Sequence, residues 1–205
     1  VQPDLVLGFS DMQAEVARDL IKAGVAVHVF NQRSIDGILA MVEAVGRLVG
    51  AENQALSLVA ELEATIDTVR AQAAVLPRRP LVYFEEWDEP QISAVRWVSE
   101  LIGIAGGDDI FAERACHPGA AQRILADPLE VVRRAPDLIV GSWCGKRFRP
   151  EHVAGRAGWA DVPAVRDGEV HELKSALILS PGPAAIREGL PALAVIIARW
   201  AARTS

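Results

Sequence analysis

A six-residue phrase occurs twice in this chain and constrains every fold open to it. Pro3-Asp4-Leu5-Val6-Leu7-Gly8 is answered by Pro136-Asp137-Leu138-Ile139-Val140-Gly141. Proline and aspartate end a preceding helix, a run of apolar residues suits a short strand covered on both faces, and glycine permits a sharp exit. Strands of that kind belong to parallel sheets, whose neighbours are joined through helical crossovers. A long helical stretch lies between the copies, interrupted after Gly46 only by Gly50. The repeat therefore predicts an α/β protein with two Rossmann-like lobes, each built on a parallel sheet, joined by a long helix and holding a ligand between them.

The elements around the two copies support that reading. Residues 12–23 read as a helix, with Ser10 or Asp11 as its N-cap and Gly24 as its left-handed stop. Residues 5–7 and 25–30 read as strands, so the first copy opens a right-handed βαβ unit. Ser34 caps a helix with apolar residues at Ile35, Ile38, Leu39, Val42, Val45 and Val49. Beyond Gly50 the seam continues through Val59, Leu62, Ile66, Val69 and Ala73 until Pro77. Further on, strands are expected at 81–84, 138–140 and 168–173, and helices at 92–104, 127–134 and 184–202. The predicted division is 1–33 as the remainder of an N-terminal lobe, 34–76 as the connecting helix and 77–205 as a C-terminal α/β lobe.

The second phrase has a helical lead-in, whereas the first has only Val1-Gln2. This predicts that the first lobe is incomplete and that its opening elements, with any localisation signal, lie outside the chain. A lobe with two readable strands is expected to expose an apolar edge, and either to self-associate through it or to pack in a different way.

Composition removes several classes of function. Asp and Glu number 27 against 21 Lys and Arg, with no basic stripe, which argues against nucleic acid as a partner. No apolar run reaches the roughly 20 residues that span a bilayer. Cys116 and Cys144 lack paired spacing, so the redox compartment stays open. His28, His117, His152 and His171 lack metal-ligand spacing, and neither a metal site nor a required cofactor is expected.

Ligands of open parallel sheets bind outside the carboxyl ends of the strands. The residues just after each predicted strand are therefore the candidates: Phe9 and Arg33 in the first lobe, and Glu86, Trp87, Trp143, Cys144, Lys146 and Lys174 in the second. Trp87 and Trp143 offer broad apolar faces for a large planar ligand, and polar neighbours on both sides argue against their deep burial. Trp97 and Trp200 read as helix core. Glu85 and Glu86 are expected to face Lys146 and Arg147 across adjacent exits, either reading an amide-rich or charged ligand edge or standing as solvated surface. No catalytic residue is assigned. An enzyme using Cys144 with Lys146 is the alternative from another class, although no His or Asp is tied to Cys144 by a recognised spacing.

Several further segments carry a family resemblance. Ser34-Ile35 leads into the long helix, and Ala105-Gly106-Gly107-Asp108-Asp109-Ile110-Phe111 forms a Gly-Gly turn before an aromatic residue. Trp159 is followed by Val162-Pro163-Ala164-Val165-Arg166-Asp167-Gly168-Glu169-Val170, and Ser180-Pro181-Gly182-Pro183 opens the last helix. With the two Pro-Asp phrases, their order resembles the substrate-binding proteins of iron–siderophore, haem and vitamin B12 ABC importers, the cobalamin-binding branch most of all. The resemblance implies a non-enzymatic protein that captures a corrinoid, haem or iron chelate and delivers it to an ABC permease. It also implies a periplasmic or membrane-anchored extracytoplasmic location. A cytoplasmic sensor that kept the fold without the transporter is the other alternative. In the family a glutamate seven residues before the Pro-Asp phrase docks on the permease. Here that position is Leu129, and Glu130, one step later, is the docking candidate. The first-lobe counterpart would precede Val1.

Overall fold

A computed structural model describes residues 2–203, and its contacts separate residues 1–33 from residues 34–205 as two compact units. In the first unit β1 (Val6–Phe9) and β2 (Val27–Phe30) pair in parallel, Val6 opposite Val27 and Phe9 opposite Phe30. Both strands begin later than the apolar runs suggest. Between them, Ser10 accepts a hydrogen bond from the Met12 N–H, a short 3-10 turn follows, and α1 (Ala14–Lys22) makes the crossover. Gly24 then takes a left-handed φ of +81°, which ends the helical path. Among the described residues of this unit no apolar side chain is fully buried, and Leu7, Met12, Val16, Ile21 and Val29 are exposed.

The second unit opens with α2 (Ile35–Leu48), capped by Ser34 Oγ accepting from the Gly37 N–H. One long helix over 34–76 is not what forms. Gly50 adopts φ +71°, the chain reverses, and α3 (Glu52–Ala73) packs back on α2. The approach is so close that a Cβ on Gly46 would lie 2.3 Å from the Ala55 Cβ. Val42, Ala55 and Val59 form a small core between the two helices. The apolar stripe of α2 needs a partner, and α3 supplies it once Gly50 breaks the helix. The segment is thus a helical hairpin built into the second unit, since Leu62, Ile66 and Val69 also join its main core.

That core lies on one face of a sheet made of β3 (Leu81–Asp88), β4 (Gln91–Ser93), β5 (Asp108–Asp109), β6 (Leu138–Gly141) and β7 (Val170–Glu172). The order is β4-β3-β6-β7, with β5 also paired to β3. β3, β6 and β7 run parallel, and β4 returns antiparallel along the far end of β3. Residues 85–88 are therefore strand and not an exit loop, and α4 (Arg96–Ile104) starts after the hairpin.

Strand alternation divides the side chains between two layers. Val82, Phe84, Leu138 and Val140 meet α3, α4 and the closing helix Leu190–Arg203. Tyr83 and Ile139 point the other way, toward Phe111, Phe148 and Trp159. Trp97 is buried in the first layer and donates its indole N–H to the Ile178 carbonyl at 2.8 Å, while Trp200 is buried beneath Arg78. The second Pro-Asp phrase is stitched in at its start, where Asp137 accepts from the Leu81 N–H and the Pro136 carbonyl accepts from the Ala164 N–H. At its end Gly141 is required by contact, because a Cβ there would stand 1.8 Å from the Phe148 ring.

Candidate functional site

The carboxyl ends of β3 and β6 lie side by side, with Glu85 opposite Gly141 in register. Glu85 has no solvent exposure and accepts four hydrogen bonds. They come from the Tyr83 hydroxyl (3.0 Å), the Trp143 indole (3.0 Å) and both terminal nitrogens of Arg156 (2.6 and 2.9 Å). Burial pushes the Tyr83 hydroxyl well above its usual range, and the Glu85 carboxylate pushes it further, so Tyr83 stays protonated and donates. Burial works against the Arg156 charge, but Glu85 outweighs it and holds the guanidinium above its ordinary range. Arg156 also lies over the Trp159 ring, 4.7 Å from its centroid.

This knot replaces the expected pairing of Glu85 and Glu86 with Lys146 and Arg147. Tyr83 and Glu85 share the inward face of β3, so the carboxylate is carried into the layer below the sheet. Burial of that charge is tolerable because a bidentate guanidinium and two further donors satisfy it. Arg156 carries no sequence signal of this role. It stands 71 residues from Glu85, and only the loop following β6 brings it there. Glu86 is engaged separately, by the buried Arg123 at 2.5 Å, and Arg123 also donates to the Ser93 carbonyl, bracing the β3–β4 turn.

Lys146 pairs instead with Asp88, Nζ to Oδ2 at 2.5 Å. Its ammonium lies 5.4 Å from the centroid of Trp87 and 5.2 Å from that of Trp143. Trp87 is half-buried on β3, and its indole N–H is spent on the Glu89 carbonyl. Trp143 departs from expectation, being only 3% exposed and packed edge-on against Phe148 with ring centroids 4.8 Å apart. Its polar neighbours do not prevent burial because the backbone turns after β6, leaving Cys144 to Arg147 in solvent while the indole finds Glu85 inside.

The remaining candidates have surroundings of their own. Cys144 is exposed, and Lys174 is paired with Glu172 at 2.6 Å. Glu130, the docking candidate, is shared by Arg114 (2.9 Å) and Arg134 (2.6 Å). In the first unit Arg33 lies over the Phe9 ring at 5.2 Å and donates to Asn31 at 3.0 Å. No group of three His, Cys, Asp or Glu side chains among the described residues converges as metal ligands. The second unit therefore gathers Trp87, Asp88, Trp143 and Lys146 at its strand ends. An indole surface beside a charge pair suits reversible binding of a ligand with apolar and polar parts.

Comparison with known proteins gives this geometry a context. A sequence model described as periplasmic binding protein matches residues 1–177. An uncharacterized ABC transporter substrate-binding lipoprotein of Bacillus subtilis is 25% identical over 203 residues, covering 95% of this chain and 62% of that protein. A cobalamin-binding protein of Halobacterium salinarum is 28% identical over 148 residues, covering 68% of this chain and 38% of that protein. The chain thus spans less than two thirds of the length of either relative. Among solved structures, the apo form of a periplasmic haem-binding protein from Roseiflexus sp. RS-1 has a TM-score of 0.81 at 23% identity, covering 97% of this chain and 77% of that one. The α/β fold expected from the repeated phrase is the fold of that protein.

Proposed function

Since this chain belongs to the periplasmic binding protein family, we propose that it is the ligand-capturing protein of an ABC importer. The ligand is a corrinoid or a similar tetrapyrrole or iron chelate, held without chemical conversion. The observation that carries this reading is the placement of Trp87, Asp88 and Lys146 at the carboxyl end of the parallel sheet in a chain of this family. A large ring system packs on indole, and the charge pair orients its polar edge. The named ligands of the similar proteins, cobalamin and haem, agree with that chemistry. Its place of work is outside the cytoplasm, as the names of its relatives suggest, and it delivers its cargo to a membrane permease. We assign the permease contact to Glu130, which must exchange its bonds to Arg114 and Arg134 to make it.

Titration with cyanocobalamin and with haem, followed by tryptophan emission, tests the assignment. Trp87→Ala should weaken binding by about 1–3 kcal/mol, the worth of a large buried apolar side chain. Affinity equal to that of the unaltered protein would remove Trp87 from the site, and release of a converted product would refute simple capture. In a reconstituted transporter, Glu130→Ala should keep ligand affinity and lower uptake. Wild-type uptake would exclude Glu130 as the contact.

A further inference from the structure

The Asp88–Lys146 pair is built unlike the other ion pairs at the strand ends. Glu85 has all its oxygens satisfied, and Glu86 is locked to a buried arginine. Asp88 is different. Its Oδ2 is bonded to Lys146, but its Oδ1 is a buried acceptor with no hydrogen-bond donor among the described residues. A buried carboxylate oxygen without a donor is unfavourable, and the site gains when one arrives. The group that covers Asp88 is a lysine on a flexible four-carbon stem. The Lys146 side chain is 46% exposed against 11% for that of Asp88, and it follows Gly145, which has left-handed φ +69° and open space around it. Both indole N–H groups beside it are committed elsewhere, to Glu89 and Glu85. Trp143 is buried, so Trp87 alone of the two offers apolar surface, and polar recognition falls to Asp88 and Lys146.

A carboxylate acceptor and an ammonium donor at 2.5 Å carry no net charge together. An incoming carboxylate would gain from Lys146 and be repelled by Asp88, and an incoming ammonium would meet the reverse. A primary carboxamide matches both, because its N–H donates to the carboxylate while its carbonyl oxygen accepts from the ammonium. Building on the proposed binding function, we infer that Asp88 and Lys146 form an amide-reading pair. It opens by rotation of Lys146 and selects a ring ligand whose edge carries neutral carboxamides over one whose edge carries carboxylates. Asp88 and Lys146 are then specificity-determining residues, with Trp87 as the apolar surface next to them.

The test compares cyanocobalamin, its monocarboxylic acid made by hydrolysing one side-chain amide, and haem, against the unaltered protein, Asp88→Asn and Lys146→Met. Calorimetry measures affinity, and thermal unfolding confirms that each variant is folded. The unaltered protein should bind cyanocobalamin at least 10-fold tighter than haem. Asp88→Asn should weaken cyanocobalamin about 10-fold and haem hardly at all, since the repulsion of carboxylates goes with the charge. Lys146→Met should weaken cyanocobalamin several-fold. Haem binding tighter than cyanocobalamin would overturn the amide reading while leaving the capture function standing, and so would cyanocobalamin affinity unchanged in both variants. Failure of all three ligands to bind would remove the corrinoid and haem readings of the capture function and this inference with them.

Discussion

β1 and β6 carry the same phrase and sit in opposite surroundings. Leu138, Ile139 and Val140 are fully buried, whereas Leu5 and Val6 are half-buried and Leu7 is exposed. β6 has a parallel neighbour on each edge, and among the described residues β1 pairs with β2 alone. The exits differ too. Beyond β6 the chain is tied inward through Trp143 and Arg156 to a buried carboxylate, while beyond β1 the Phe9–Arg33 stack remains only partly covered. An apolar run flanked by Pro-Asp and Gly specifies a parallel strand in both places. How much that strand contributes to stability depends on what is layered over it.

The largest expected effect concerns the exit of the second copy. Glu85→Ala strands Arg156, the Trp143 N–H and the Tyr83 hydroxyl together, and should cost about 3–5 kcal/mol in denaturant unfolding. A loss below about 1 kcal/mol, within the ordinary range for surface changes, would show that the knot does not hold the exit. Next come the matched leucines. Leu138→Ala should cost about 2–5 kcal/mol, and Leu5→Ala under about 1 kcal/mol because its side chain is only half-covered. Equal losses at the two positions would erase the distinction between the strands. The smallest contrast lies at the matched glycines. A methyl at Gly141 meets the Phe148 ring and should cost about 1–3 kcal/mol. At Gly8 the nearest atoms are the Gln13 Oε1, 3.1 Å away and held by the Phe9 N–H, and a Val29 methyl at 3.4 Å, so Gly8→Ala should cost under about 1 kcal/mol. A larger loss at Gly8 than at Gly141 would reverse the comparison.

Local sequence determined the βαβ start, the parallel strand at the second phrase, and the burial of Trp97 and Trp200. These follow from short-range effects: apolar periodicity, caps at Ser10 and Ser34, and glycines at Gly24 and Gly50 that accept left-handed backbone. Tertiary structure alone decided which charges meet. Glu85 and Arg156 stand far apart along the chain, as do Asp88 and Lys146, and no spacing rule links either pair. Their partners were set by the register of β3 against β6, by strand alternation, which carries Glu85 inward below the sheet, and by the irregularity in β3 between Glu85 and Trp87, beyond which Asp88 meets Lys146. The α2–α3 hairpin was decided the same way. Gly50 permits either a brief interruption or a reversal, and the unpaired apolar face of α2 selects reversal, because burying it against Ala55 and Val59 removes it from water.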